Sequence, residues 1–278
     1  MRSLQSPSNA GMNNCLVSLI TPCLNAEKTL GATLDSVKSV SEELALHGWQ
    51  LQHLLVDGGS SDSTLEIWDG YAKNQPFRQI LFNVAGGPYP AMQAGLLLAN
   101  GIYTHILNAD DQITNPVLYV EHLINAQSLS SVVILSSISY FRKSAGQITR
   151  TWSVDTLPRS RAAWKQQLAN GLHYPHPGFI AMTERYQSVG FDLSYSLSSD
   201  YKTMQLILLG LADDENVRVV TKPLVAMAEG GLTTGLGSIL EGRNQIQMIN
   251  RELGIEHSSL RRYSLKILQV FKRNFGKG

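Results

Sequence analysis

The stretch His105 to Thr114, "HILNADDQIT", runs from an apolar segment straight into Asn108-Ala109-Asp110-Asp111. Tyr103 to Leu107 ("YTHIL") reads as a short buried strand. Two adjacent carboxylates at its tip have two uses. They can hold a hard divalent cation that in turn binds phosphate oxygens. They can equally start the next helix, which the spacing places from about Pro116 to Leu129, where a proline suits the first turn.

The segments on either side decide what kind of strand this is. "CLVSLIT", Cys15 to Thr21, is an apolar strand that Pro22 is expected to stop. From Glu27 to Leu46, Leu30, Leu34, Val37, Val40 and Leu44 recur at helical steps, giving an amphipathic helix. "LQHLLVDGG", Leu51 to Gly59, is a second strand, and Asp62-Ser63-Thr64 opens the following helix. Arg78 to Phe82 is a third strand, residues 89–100 a helix, and Val132 to Phe141 a fifth strand after Tyr103 to Leu107. Strand and helix alternate, so the fold class expected is α/β: a doubly wound, mostly parallel sheet with helices on both faces. Ligands of such sheets gather at the carboxyl ends of the strands. Asp57-Gly58-Gly59 and the Asn108 to Asp111 tip both lie there.

The second half is less regular. It offers the short strands "GFIAM" and "VRVV", a helix from about Ser199 to Leu209, the loop Met227 to Gly235, and helices at about 237–253 and 258–275.

Composition narrows the function classes. With 278 residues, 43% hydrophobic and 16% charged, the chain is globular and large enough for a sizeable core. A net charge of +1 argues against a nucleic-acid partner. Cys15 and Cys23 are too few for a disulfide framework or a thiolate zinc site, and they suit a reducing, cytoplasmic setting. Residues 1–14 are polar and read as a flexible arm without a secretory signal. No run of about 18 apolar residues suggests a membrane span.

Further candidates each carry two readings. Asp57, before glycines that permit close backbone approach, either accepts hydrogen bonds from a ligand or simply closes a strand-to-helix turn. Asp200, in "SSDYK" at a helix start, is a general base or a first-turn acid complementing the helix dipole. His173 and His176 lie three apart, but Pro175 and Pro177 prevent helical ligation of a metal, so they fit a polar pocket wall better. "EGGLTTG", Glu229 to Gly235, is a phosphate-closing loop or a plain surface loop. The tail from Leu260 to Gly278 is basic and amphipathic: it lies on an anionic membrane surface or packs on the domain.

In order, these motifs resemble family 2 glycosyltransferases of the GT-A fold. "VSLITPCLNAEKTLGATLDSV" is similar to that family's first strand, nucleotide loop and helix, and "LLVDGGSSDSTLEI" to its second motif in the D-G-G-S variant. "GGPYPAMQAGLLLANGIYTHILNADD" resembles the segment leading to its D-x-D, "HPGFIAM" and "LSSDYKTMQLIL" its acceptor side, and "KPLVAMAEGGLTTG" its closing loop. The resemblance implies inverting transfer of a sugar from a nucleotide-diphosphate donor, UDP-linked, to a hydroxyl acceptor. Thr21, Pro22, Asn25, Asp57, Asn108 and Asp110 would bind the nucleotide sugar. Asp110, with Asp111 beside it, would hold a divalent Mn²⁺ or Mg²⁺. Asp200 would be the base and His176 would line the acceptor side. It implies a catalytic domain at 15–235, its nucleotide-binding half about 15–115 and its acceptor half about 116–235, followed by C-terminal helices at 236–278. The acceptor would be a surface polysaccharide or lipid-linked glycan at the inner face of a bacterial plasma membrane, with peripheral membrane contact through 260–278.

Two departures stand out. Asn108 replaces the first Asp of D-x-D. Relatives of the variant commonly read D-K-G-x-Y-D-A-M-N where this chain has Ala85-Gly86-Gly87-Pro88-Tyr89-Pro90-Ala91-Met92-Gln93. The alternative is therefore a catalytically weakened nucleotide-sugar-binding or scaffolding protein of the same fold. A nucleotidyltransferase would need a glycine-rich, basic loop after the first strand, and "TPCLNAEKTL" has no glycine before Gly31. A P-loop enzyme would need G-x-x-x-x-G-K-[ST], which does not occur.

Overall fold

A computed structural model describes residues 14–73, 78–142, 147–158, 160–229 and 236–255. The first half alternates as expected: β1 (Cys15–Cys23), α1 (Leu30–Leu46), β2 (Gln50–Asp57), α2 (Thr64–Ala72), β3 (Arg78–Leu81), α3 (Pro88–Leu98), β4 (Tyr103–Ile106). Next come β5 (Gln112–Ile113), α4 (Pro116–Ser128), β6 (Ser131–Phe141), β7 (Ile148–Trp152) and α5 (Arg161–Ala169). A 3-10 turn (His176–Gly178), β8 (Phe179–Met182), α6 (Thr183–Val189), α7 (Ser199–Leu209), β9 (Asn216–Ala228) and α8 (Leu236–Glu252) complete the described chain.

The strands form one sheet in the order β3-β2-β1-β4-β8-β6-β9-β5. β1 is parallel to β2 and β4, and β2 to β3. β8 runs antiparallel between β4 and β6, so β6 and its parallel neighbour β9 point the same way as β4. The carboxyl ends of β1, β2, β4, β6 and β9 therefore share one edge. β5 is antiparallel to β9, and β7 lies antiparallel on the far end of β6. The sheet is mostly parallel, as expected, and β8 is the reversed strand inside it.

Three details differ from the sequence expectation. β1 does not stop at Pro22. Ile20 O accepts from Leu107 N on the β4 side and Cys23 O from Gly58 N on the β2 side. Alternation thus turns residue 22 toward β4, whose pairing with β1 has already ended at Ile106, so the missing N–H of proline deprives no partner. "VRVV" is part of a thirteen-residue strand, and the register shifts around Pro223 absorb that proline. β7, α5 and α6 were not legible. β7 is exposed over four of its five residues, so no alternation marks it.

Each face of the sheet carries its own core. Ile20, Leu54, Val56, Leu135 and Phe179 pack under α3, α5 and α7 through Met92, Leu96, Trp164, Met204 and Ile207. On the other face Val17, Leu19, Ile134 and Ile180 meet Val37, Val40 and Leu44 of α1 and Tyr119 and Leu123 of α4. The close approach of α3 to the sheet explains Gly95, where a Cβ would lie 2.6 Å from Ile20 Cγ2.

His105, in the middle of the sheet, is wholly buried. Nε2 lies 3.0 Å from Pro177 O, which can only accept, so Nε2 carries the proton and Nδ1 accepts from the Tyr119 hydroxyl at 2.8 Å. Burial pushes this histidine down to about 4, against the raising effect of the Pro177 carbonyl. An unfolded histidine titrates near ~6.5. Its contribution to stability is therefore complete above that pH and is lost as pH falls toward 4, by at most about 3 kcal/mol. Urea unfolding at pH 7 and 4.5 checks this. The loss on acidification should shrink in His105→Gln, whose amide N–H can replace the Nε2 donor to Pro177 O and which cannot titrate. It should not vanish, because His176 is lowered for the same reason, with Asp200 opposing.

Candidate functional site

The first strand tip is Asp57. Its carboxylate is 1% exposed and folded back on its own turn. It accepts from Gly59 N at 2.9 Å, Ser60 N at 3.0 Å and the Ser60 hydroxyl at 2.5 Å. Gly59 sits at φ 98°, a conformation that only glycine adopts freely. Cys23 donates to the same carboxylate, and its thiol is pushed up to about 12 by burial and then by the Asp57 charge. Asp57 therefore shapes the loop.

The side chain that meets solvent beside it is Asn25, at φ 50° just past β1. Asn25 accepts from Ser61 N at 2.9 Å and donates its own N–H to Ser60 Oγ at 2.8 Å, while Glu27 N donates to Asp62. The tips of β1 and β2 are thus laced into one polar loop pair. Thr21 does not line it. Thr21 is fully buried and bonded to His53 Nε2 at 3.0 Å, and Pro22 is buried beside it. Side chains of a strand interior point into the sheet faces, not off its end.

The second tip follows β4. Asp111 is 1% exposed; Oδ1 accepts from Ala228 N at 3.1 Å and Oδ2 from Asn108 Nδ2 at 3.1 Å. Asp111 therefore ties the turn to the carboxyl end of β9. Asp110, one residue earlier, is half-buried and is the carboxylate of the pair with surface to offer. The helix-cap role belongs to neither acid: Asn115 caps α4 by accepting from Leu118 N at 2.9 Å.

Asp200 lies in the first turn of α7 with 27% of its side chain exposed. Oδ1 accepts from the Tyr89 hydroxyl at 2.8 Å and from Tyr201 N at 2.8 Å. Oδ2 faces His176 Nδ1 at 3.8 Å. His176 is buried, and that burial keeps it neutral, with the Asp200 charge opposing. Tyr89 begins α3, the helix leading from the carboxyl end of β3 to the start of β4. The turn carrying His176 precedes β8, whose start lies beside the end of β4. Both neighbours thus put Asp200 on the same edge as Asp57 and Asp110.

α8 braces this corner from outside. Leu197 N donates to Gln245 at 2.9 Å and Tyr201 OH to Asn250 at 2.6 Å. Lys202 bonds Asp192 and Glu252, each at 2.6 Å; burial works against its charge, but these bonds raise it to about 12.

A family model described as glycosyl transferase family 2 matches residues 18–187. The chain belongs to glycosyltransferase family 2. Among curated proteins, a Mycobacterium bovis PGL/p-HBAD biosynthesis glycosyltransferase is 37% identical over 100 residues, 35% of this chain and 36% of that one. The Bacillus subtilis glycosyltransferase EpsJ is 23% identical over 172 residues, 62% of this chain and 47% of that one. The alignment thus spans about a third to a half of these relatives' length. Among solved structures, S. aureus TarS 1-349 in complex with UDP-GlcNAc superposes with a TM-score of 0.64 at 18% identity, over 84% of this chain and 65% of that one. The mannosyltransferase PcManGT from Pyrobaculum calidifontis, in complex with GDP-Man and Mn²⁺, gives 0.57 at 16% identity, over 85% and 63%. These likenesses show the GT-A fold.

Within this family 2 chain the donor set suits a hard cation. Among the described residues no group of three or more His, Cys, Asp or Glu could hold a metal alone. The half-buried carboxylate of Asp110, with substrate phosphates and water completing the shell, would suit Mg²⁺ or Mn²⁺. Asp111, expected as a second ligand, is buried and bonded to Ala228 N and Asn108 Nδ2, so Asp110 is the more accessible carboxylate of the two. Tyr89 and Gln93 were missed as site residues. Gln93 accepts from Phe191 N at 2.8 Å, pinning the loop before α7. Their only sequence signal was their place in "GGPYPAMQ". The segment 230–235 and the tail 260–278 lie outside the described residues. Among the described helices none is long and apolar enough to cross a membrane.

Proposed function

We propose that the chain transfers a sugar from a nucleoside-diphosphate donor to a hydroxyl acceptor with inversion. What supports this reading is that three features lie toward the carboxyl edge of one sheet: the Asn25/Asp57 loop pair, the half-buried Asp110 and the first-turn Asp200. The loop pair takes the nucleoside. Asp110, with Asn108 in the same turn, would hold a divalent cation, and such a cation would supply positive charge opposite the leaving diphosphate. Asp200 accepts the acceptor hydroxyl proton as that oxygen bonds the anomeric carbon from the side opposite the leaving group. The carbon–oxygen bond to the diphosphate breaks, and the nucleoside diphosphate leaves with the bonding electrons. Neutral His176 lines the acceptor side of the carboxylate.

Solved relatives bound to UDP-GlcNAc and to GDP-Man with Mn²⁺ support the donor class and the metal. The mycobacterial relatives, named for PGL/p-HBAD biosynthesis, support a glycan or lipid-linked acceptor. That fits work at the cytoplasmic face of a membrane, with the basic stretch 260–278 as the contact. The altered segment 85–93 favours the rival reading, a nucleotide-sugar-binding scaffold with weakened chemistry.

Calorimetric titration of UDP-GlcNAc, UDP-glucose and GDP-mannose, each with and without Mn²⁺, tests the proposal. One donor should bind in the micromolar range with Mn²⁺ and at least about tenfold more weakly without it. No binding of any nucleotide sugar, with or without metal, contradicts it.

A further inference from the structure

The segment 85–93 lacks the acids and lysine of its relatives, yet it sends one side chain to the base. We propose that Tyr89 is a positioning residue for Asp200, anchoring Oδ1 so that Oδ2 is the oxygen that takes the acceptor proton. The proposal rests on the reading of Asp200 as base.

Three observations support it. Oδ1 already accepts two hydrogen bonds, from the Tyr89 hydroxyl and from Tyr201 N, both at 2.8 Å. Among the described residues Oδ2 meets His176 Nδ1 at 3.8 Å, too long for a hydrogen bond, and the side chain is 27% exposed. Tyr89 is itself held. Its ring stacks on Phe191 with centroids 6.0 Å apart and planes at 24°, and Gln93 bonds the Phe191 backbone. Gly86 and Gly87, at φ 108° and 97°, turn the chain into the helix that starts with Pro88 and Tyr89.

Tyr89 is a permanent donor here. Burial, and then the Asp200 charge, keep its proton on far above the ordinary tyrosine range. The other titratable groups facing Asp200 are His176 from the 3-10 turn and Tyr186 from α6, the latter also held protonated by burial and by Asp200. Neither replaces the Tyr89 bond.

Removing that hydroxyl leaves a carboxylate with one donor fewer. Its orientation is no longer fixed, so turnover falls while donor binding is kept. The test compares wild type, Tyr89→Phe and Asp200→Asn, reading UDP release from UDP-GlcNAc and GDP release from GDP-mannose across pH 4.5 to 8.5. Tyr89→Phe keeps the ring on Phe191, and an unchanged far-ultraviolet circular dichroism spectrum together with cooperative urea unfolding confirms the fold. The expected result is kcat lowered about tenfold with donor KM unchanged within about twofold. A Tyr89→Phe kcat equal to wild type, with Asp200→Asn inactive, overturns the proposal. Asp200→Asn as fast as wild type overturns the base reading and the proposal with it.

Discussion

Asp200→Asn is expected to bind donor as tightly as wild type while sugar transfer falls by about a thousandfold or more. The substitution changes little besides proton affinity. Asn Oδ1 can still accept from the Tyr89 hydroxyl and from Tyr201 N, so the first turn of α7 keeps its geometry. The packing of α7 through Met204, Ile207 and Leu208 is untouched. An amide cannot take the proton of an attacking hydroxyl, so the loss falls on kcat and not on donor affinity. Donor titration by calorimetry and nucleotide release under the same conditions separate the two. A variant that retains wild-type turnover removes Asp200 from the chemistry. A parent protein that binds donor but turns it over no faster than the variant supports the scaffold reading.

The second large effect is expected at the β4 tip. Asp110→Asn should lose the Mn²⁺-dependent part of donor affinity, by about a hundredfold, with the folded state kept. Asp110 is half-buried, and asparagine keeps its size and shape. Asp111→Asn is the contrasting case. Its carboxylate is buried and accepts from Ala228 N and Asn108 Nδ2, so the change should appear as lost stability, about 1–3 kcal/mol by urea unfolding, and not as lost metal dependence. Equal loss of Mn²⁺ dependence in both variants would return Asp111 to the metal.

Much of this arrangement is legible in the sequence, for a local reason. A strand that ends in Asp-Gly-Gly or Asn-Ala-Asp-Asp carries its chemistry at the point where periodicity breaks, and both the period and the break are read within ten residues. The helices α1, α4 and α7 declare themselves by apolar spacing in the same way. What was not legible depends on contacts made across long stretches of chain. Tyr89 reaches Asp200 across 111 positions, and nothing near either residue encodes the meeting. Asp111 reads like Asp110 until β9 arrives and its Ala228 N–H takes one of its oxygens. Thr21 looks like a loop residue because Pro22 follows it, but the strand continues through a proline whose missing donor has no partner to lose. β7 and α6 are short, and β7 is exposed, so neither carries enough apolar period to be seen.

The central claim is spatial: the loop at Asn25 and Asp57, the carboxylate of Asp110 and the base Asp200 surround a single donor. The most direct measurement is a crystal structure of the protein soaked with UDP-GlcNAc and Mn²⁺, or with GDP-mannose and Mn²⁺ if calorimetry selects that donor. The metal is expected on Asp110, the base of the nucleotide against Asn25 and Ser60 to Asp62, and the anomeric carbon facing Asp200 Oδ2. A nucleotide bound away from the carboxyl edge of β1, β2 and β4, or a sugar whose anomeric carbon faces away from Asp200, contradicts it.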